Sequence, residues 1–205
     1  MTSFVLVTGT STGVGKTWLA CALARELSKS ARVVAIKPIE TGGGDDGERL
    51  AAATGQDSPK RALVELREPL TPALAADREG VELDFDDLVV KVREAAKDAD
   101  VAIVEGAGGL LSPITWDTDA TTLARGLDAK VIMVASDALG AISAVHTAAA
   151  CFPPFVIVLV EPETRDASTG TNADALRRRL GAVRIVEIAR DGSVSVLAKM
   201  ITSGA

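Results

Sequence analysis

The sequence has little with which to build a metal centre or a disulfide: two cysteines, Cys21 and Cys151, and one histidine, His146, in 205 residues. Capture of a metal by cysteine and histidine is therefore not expected. Both cysteines fall in apolar helical patterns and are expected as core residues of a reduced, cytoplasmic protein. No basic run long enough to follow a phosphate backbone occurs, and 22 Lys+Arg against 28 Asp+Glu leave a net charge of −6. That balance argues against a nucleic-acid surface, which needs cations to neutralise phosphates. No apolar stretch is long enough to span a bilayer, so no membrane partner is expected. The first strand begins so close to Met1 that no signal peptide is expected. With 47% hydrophobic residues, the chain has ample core for one α/β domain over residues 1–205.

The most informative stretch is Gly9-Thr10-Ser11-Thr12-Gly13-Val14-Gly15-Lys16-Thr17. Before it runs Ser3–Thr8, short and apolar enough for a buried strand. After it comes Trp18–Leu27, with apolar residues at helical spacing. Strand, glycine loop and helix form the context of a phosphate-binding loop. Glycines let backbone N–H groups turn inward around a polyphosphate, and the helix N-terminus adds partial positive charge. Gly13, Val14 and Gly15 are expected to cradle the phosphates, Lys16 to reach the β and γ oxygens, and Thr17 to hold Mg²⁺. Five residues, rather than four, separate Gly9 from Gly15, so Thr10 stands where the common pattern has its first glycine.

Arg32–Ile36 reads as a second buried strand. Pro38 forces Lys37 into an extended conformation at its carboxyl end, the edge where open parallel sheets bind ligands. A glycine-rich loop (residues 41–47) and a helix from Glu48 to Thr54 follow. Residues 55–80, with three prolines, are expected as surface turns around a short helix. Asp84 is the expected N-cap of a helix with Phe85, Leu88, Val89, Val92 and Ala96 on its apolar face. Asp100–Val104 is a third strand, ending in Glu105-Gly106-Ala107-Gly108-Gly109, where the backbone lies open beside an acid. Helices near 118–126, 140–150 and 172–180 and strands at 130–135, 155–160 and 183–188 continue the alternation. The pattern predicts a single P-loop NTPase-type domain, a parallel sheet with helices on both faces. Lys16, Thr17, Lys37 and Glu105 should then meet at one sheet edge, Glu105 holding Mg²⁺ directly or through water.

The glycine loop with its extra residue, Lys37-Pro38-Ile39-Glu40-Thr41-Gly42, and Val104-Glu105-Gly106-Ala107-Gly108-Gly109-Leu110-Leu111 together resemble the dethiobiotin synthetases, over roughly residues 3–140. The resemblance implies a homodimeric, cytoplasmic enzyme of biotin synthesis acting on small molecules: 7,8-diaminopelargonate, CO₂ and ATP. In that family CO₂ and the diamine form a carbamate, ATP phosphorylates it, and the second amine closes a ureido ring, releasing ADP and phosphate. By resemblance Lys37 is the active-site lysine beside Lys16, and Thr12 and Thr41 contact the diamine or carbamate. Gly106, Ala107 and Gly108 lie at the nucleotide. Mg²⁺ falls to Thr17, Glu105 and Asp46, the last chosen over Asp45 because Leu50 reproduces the family's Asp-to-Leu spacing.

The last third departs from the family pattern. Asn-His of the 140s helix, where the partner subunit takes the substrate carboxylate, is replaced by Ser143 and Ala144. His146 is expected as an interior residue, and Ser143 as the remaining polar group for the carboxylate. The adenine-reading asparagine is missing from Val158–Pro162, so the base is expected at backbone groups of Ile188, Ala189 and Arg190. Two other readings share the fold: an amidating ligase of the cobyrinate type, and a partitioning or positioning ATPase. The first wants a glutaminase domain. The second usually has a further lysine where this chain has Ser11. A non-catalytic binding module is a third reading, motivated by the altered 143–144 and 158–162 segments.

Overall fold

The computed structural model describes residues 1–203. In chain order the elements are β1 (Ser3–Gly9), α1 (Lys16–Leu27), β2 (Val33–Ile36), β3 (Ile39–Thr41), α2 (Asp46–Thr54), β4 (Val64–Leu66), α3 (Pro72–Glu79) and α4 (Phe85–Ala95). They continue with β5 (Val101–Glu105), α5 (Ala120–Leu127), β6 (Lys130–Ser136), α6 (Ala141–Cys151), β7 (Val156–Val160), α7 (Asn172–Leu180), β8 (Ile185–Ile188) and α8 (Ser195–Thr202). Six strands pair in the order β2-β5-β1-β6-β7-β8, every pairing parallel.

Parallel strands covered on both sides need apolar residues at every position, and β5 and β7 are buried throughout. Alternation then sends side chains to two cores. Leu6, Val34, Ile36, Ala102, Val104 and Met133 face α3–α7, where Leu88, Leu123, Val145 and Leu176 pack on them. Val5, Val7, Ile103, Ile132 and Val158 face the opposite layer, built by Leu19 and Leu23 of α1, Leu50 of α2 and Leu197 of α8. The expected doubly covered parallel sheet is what the chain forms.

The topology places the chemistry. β1 is central, with β5 beside it and β2 beyond, so the carboxyl ends of three neighbouring strands carry the glycine loop, Lys37 and Glu105. The register pairs Val7 of β1 with Glu105, and Ile36 of β2 with Val104. Farther along the same edge, buried Asn172 donates to Asp137 Oδ1 at 2.7 Å while the Gly170 amide donates to Oδ2 at 2.7 Å. That clamp ties the segment after β7 to the segment after β6.

Several expectations need correction. Residues 55–80 hold the expected short helix, α3, but also a strand in place of turns: β4 pairs in parallel with β3, Ile39 against Val64 and Thr41 against Leu66. Strands of three residues are too short to show a period in sequence. Cys21 is buried, but Cys151, the last residue of α6, is exposed. His146 is half-buried on α6 rather than interior. α2 begins at Asp46, one half-turn before the expected Glu48. α5 begins at Ala120, two residues later than expected, because the Asp119 carboxylate accepts from the amides of Thr121 and Thr122 in a capping box. α8 has no counterpart among the elements expected from sequence; it packs on α1, with Ser195 Oγ donating to Glu26 Oε1 at 3.0 Å.

Leu23 has no exposed surface and sits where α1 meets the sheet beneath the glycine loop. Leu23→Ala is expected to cost roughly 3–5 kcal/mol in urea unfolding. A loss below about 1 kcal/mol would mean that α1 does not anchor the core.

Candidate active site

The loop between β1 and α1 turns at Gly13 (φ +77°) and Gly15 (φ +99°), conformations that L side chains seldom adopt. A Cβ on Gly15 would also lie 3.2 Å from a methyl of Val160, so the loop is seated closely on β7. Val14 is buried among the α1 side of the core and pins the loop from below. The Lys16 ammonium reaches back to the Ser11 carbonyl oxygen at 3.0 Å, closing the loop on itself.

Lys37, buried at the end of β2, donates to Asp46 Oδ2 at 2.7 Å and to Glu105 Oε1 at 2.8 Å. Thr17, on the first turn of α1, donates towards the same two carboxylates, with Oγ1 at 2.9 Å from Asp46 Oδ1 and 2.8 Å from Glu105 Oε1. A cation, a hydroxyl and two acids thus share one knot, supplied by β2, α1, α2 and β5. Glu105 is fully buried, and its second oxygen, Oε2, has no hydrogen-bond partner among the described residues. The Asp45 carboxylate instead points outward, 3.9 Å from Arg49.

The charges respond to burial and to each other. Burial pulls the Lys37 ammonium towards neutrality, but Glu105 and Asp46 outweigh it and raise its pKa above the ordinary value. Burial also pushes Asp46 up, yet the Lys37 charge and the bonds from Lys37 and Thr17 hold its carboxyl below the ordinary range. For Glu105 burial prevails, reinforced by the Asp46 charge, and its pKa is raised despite Lys37. Burial lowers the pKa of Lys16, with Glu105 and Asp46 offsetting only part of it. An acid whose charge is under-compensated beside an unpartnered oxygen is a site with capacity for more positive charge.

The donor set suits a particular kind of cation. Thr17, Asp46 and Glu105 offer only oxygen, the chemistry of Mg²⁺ rather than of zinc. Among the described residues no group of three or more His, Cys, Asp or Glu gathers as a metal centre. A cation here would complete its shell with phosphate oxygens and water, as Mg²⁺ does in phosphoryl-transfer sites.

These groups open onto a cleft of about 790 Å³, lined by Thr12, Gly13, Gly15, Lys16, Thr17, Lys37, Thr41, Asp46, Glu105, Ala107, Gly108 and Arg190 among others. The cleft therefore gathers most of the residues singled out in the sequence. Gly106 and Ile188 stand outside the lining: the Gly106 amide donates to the Val7 carbonyl at 3.0 Å, and the Ile188 carbonyl accepts from the Glu161 amide at 3.0 Å. Ala189 is exposed. Arg190 Nε donates to the Glu161 carbonyl at 3.1 Å. Ser143 lies exposed on α6, outside the lining. Trp116 is exposed and donates from Nε1 to Asp77 Oδ2 at 2.9 Å, tying the loop after β5 to α3.

Sequence reasoning passes over Arg49, Ser112 and the wall of residues 69–72, all of which line the cleft. It also leaves Glu40, within its motif, without a task. Pro69 and Pro72 bracket a turn packed against Gly42, where a Cβ would stand 2.9 Å from Pro69 Cβ. That closeness is a tertiary contact with no local signature.

A glycine loop joining the central strand to a helix, on an all-parallel sheet with an acid ending the neighbouring strand, defines a P-loop NTPase. Solved structures of that class share the fold. A ParA family ATPase from Chlorobium tepidum TLS matches with a TM-score of 0.59 at 14% identity, over 99% of this chain and 89% of that one. The signal recognition particle receptor FtsY from Elizabethkingia anophelis matches with a TM-score of 0.57 at 19% identity, over 92% of this chain and 58% of that one. Residues 4–199 match the family described as an AAA domain.

Sequence relatives narrow the class. The ATP-dependent dethiobiotin synthetase BioD of Nitrosospira multiformis is 36% identical over 188 residues, 85% of this chain and 82% of its own. That of Caulobacter sp. is 42% identical over 155 residues, 70% of this chain and 67% of its own. The chain belongs to the dethiobiotin synthetase family of ATP-dependent ligases.

Removing the Lys37 charge tests the knot directly. Lys37→Met leaves two acids facing each other and is expected to cost about 3–5 kcal/mol in metal-free urea unfolding, the range for stranding buried charge. The raised pKa of Lys37 sets the sign of the pH dependence. Its contribution is whole below the ordinary lysine value of 10.5 and fades as pH climbs through the higher folded value. A cost below about 1 kcal/mol at neutral pH would contradict the coupling.

Proposed function

We propose that the chain carboxylates 7,8-diaminopelargonate and closes its ureido ring, using ATP. One amine of the substrate attacks CO₂, forming a C–N bond and losing a proton to give a carbamate. A carbamate oxygen attacks the γ-phosphorus of ATP, and ADP leaves. The second amine attacks the carbon of the resulting carbamic-phosphate anhydride, and phosphate departs with the C–O bond. Phosphorylation is needed because a carbamate anion is a poor electrophile.

The observation that supports this reading most is the position of the Lys37 ammonium, 2.7 Å from Asp46 and 2.8 Å from Glu105 in the cleft lined by Lys16 and Thr17. Phosphoryl transfer brings two anions together, so its catalysis is mainly positioning and charge stabilisation. Lys16 and the backbone of Gly13, Val14 and Gly15 take the polyphosphate, with Gly106, Ala107 and Gly108 along its other side. Lys37 holds the carbamate and its developing charge, and Thr12 and Thr41 orient the diamine. Thr17, Asp46 and Glu105 would hold Mg²⁺, which supplies Lewis-acid compensation of the β and γ oxygens when bound. Ile188, Ala189 and Arg190 lie where the base is read, through backbone groups.

The active form in this reading is a homodimer in the cytoplasm. Ser143 stands at the start of α6 with exposed Leu139 and Ile142 around it, a surface suited to cover by a second copy that receives the substrate carboxylate there. Among the described residues no helix is long and apolar enough to cross a membrane. The similarity to a ParA ATPase, at 14% identity, speaks to fold alone and does not favour a nucleotide switch.

Purified protein with Mg-ATP and bicarbonate is expected to release phosphate only when 7,8-diaminopelargonate is present. With ¹⁸O-labelled bicarbonate, the released phosphate should carry one oxygen from it. Lys37→Ala and Lys16→Ala are each expected to slow turnover by at least about 10²–10³, as for loss of one group stabilising developing negative charge. Phosphate release indifferent to the diamine, or free of label, would overturn the reaction.

A further inference from the structure

A third acid, itself buried, stands beside the knot and hydrogen-bonds to neither the lysine nor the threonine within it. Glu40 is the middle residue of β3; Ile39 before it enters the core, and alternation turns Glu40 to the other side, where it is 7% exposed. Its carboxylate accepts the Asp46 amide at 2.7 Å through Oε1 and the Gly47 amide at 3.2 Å through Oε2. Those are the first two amides of α2, groups that no helix can satisfy internally. The residue placed to cap them, Asp45, makes no side-chain cap. The helix is capped from a neighbouring strand instead.

The surrounding backbone is shaped for that carboxylate. A Cβ on Gly44 would stand 2.5 Å from Glu40 Oε1, and one on Gly47 would stand 2.4 Å from the Ala62 amide nitrogen. Small residues therefore let the loop close over the acid and let the first turn of α2 settle against residues 61–62. A buried carboxylate is costly unless its oxygens are bonded, and a Ser or Asn at the N-cap would do the same capping at no such cost. The acid at 40 has a further consequence: Asp46 is gripped at both ends, its amide by Glu40 and its side chain by Lys37 and Thr17.

We infer that Glu40 is a positioning residue for the cation: by fixing the first turn of α2 from β3, it sets the Asp46 carboxylate in register with Thr17 and Glu105. This rests on Asp46 serving Mg²⁺ as proposed above. Glu40 also occupies the N-terminus of α2, which otherwise offers an anion site on the cleft. The polyphosphate is thereby left to the N-terminus of α1.

Three variants, Glu40→Ala, Glu40→Gln and Asp46→Asn, separate the inference from its foundation. In metal-free protein, Glu40→Ala is expected to speed hydrogen exchange at the amides of Asp46 and Gly47 by about tenfold or more, since their acceptor is gone. The Mg²⁺ concentration giving half-maximal binding of a non-hydrolysable ATP analogue, read by calorimetry, should rise by about 10–100-fold. Turnover at saturating Mg²⁺ should recover to within about threefold, and KM for the diamine should hold, because the residue acts through Asp46. Glu40→Gln keeps one acceptor oxygen and should fall between. Faster exchange with the Mg²⁺ midpoint moved by less than about twofold would overturn the inference. Asp46→Asn tells the two failures apart. An unmoved midpoint there removes Asp46 from the metal site and the inference with it; a raised midpoint there beside an unmoved one in Glu40→Ala overturns the inference alone. If Glu40→Ala does not fold, Glu40→Gln and Gly44→Ala, whose added Cβ displaces the Glu40 carboxylate, take its place: a raised Mg²⁺ midpoint in them supports the inference, and an unmoved one overturns it.

Discussion

Everything in this molecule is arranged around a buried ammonium held between two acids. Taking Lys37, Glu105 and most of Asp46 out of water is expensive, and attraction within such a cluster often fails to repay the desolvation. Apolar residues of similar volume would make a sturdier sheet edge. Here the acids outnumber the ammonium among them, Glu105 keeps an unpartnered oxygen, and Lys16 is turned to a backbone carbonyl close by. The arrangement is poorly balanced as structure and well balanced for a polyanion arriving with a divalent cation.

The sheet meets that cost by making the position of each charge non-negotiable. β2, β5 and β1 are adjacent, so three strand ends, separated by up to a hundred residues in sequence, meet side by side. Their flanks are locked by aliphatic packing on both faces, which leaves no freedom for a strand to slip. α1 contributes Thr17 through its first turn, and α2 contributes Asp46 through a first turn capped from β3. Rigid elements, or in the case of Lys37 the residue directly after one, thus carry the side chains whose relative distances matter. Glycines 13 and 15, at positive φ, shape the backbone of the loop between β1 and α1.

Much of this is legible in residue order. The all-apolar strands, the Gly15-Lys16-Thr17 helix opening and the Lys37-Pro38 strand end carry local physical signals, and the resulting sheet edge follows from parallel topology. The preference for Asp46 over Asp45 rests on its spacing to Leu50, and Leu50 is buried in α2 while Asp45 faces outward. What escapes a reading of the sequence depends on partners distant along the chain. Nothing local marks Glu40 as a helix cap, because caps are sought immediately before the helix. The β3–β4 ladder is too short for periodicity, and the exposure of Cys151 depends on where α6 ends. The roles of the site residues are a separate matter: geometry brings most of them into one cleft, and chemistry must assign their tasks.

In the proposed reaction, one sheet edge matches two lysines and a cation, held by Thr17, Asp46 and Glu105, to a triphosphate meeting a carbamate. The most direct measurement is a crystal structure with Mn²⁺, a non-hydrolysable ATP analogue, the diamine and bicarbonate, reading the metal from its anomalous signal. One metal peak is expected among the Thr17, Asp46 and Glu105 oxygens, with γ-phosphate at Lys16 and the Lys37 ammonium turned from the acids to the carbamate. A metal peak elsewhere, or Lys37 still bound to Asp46 and Glu105 with carbamate out of its reach, would contradict that reaction.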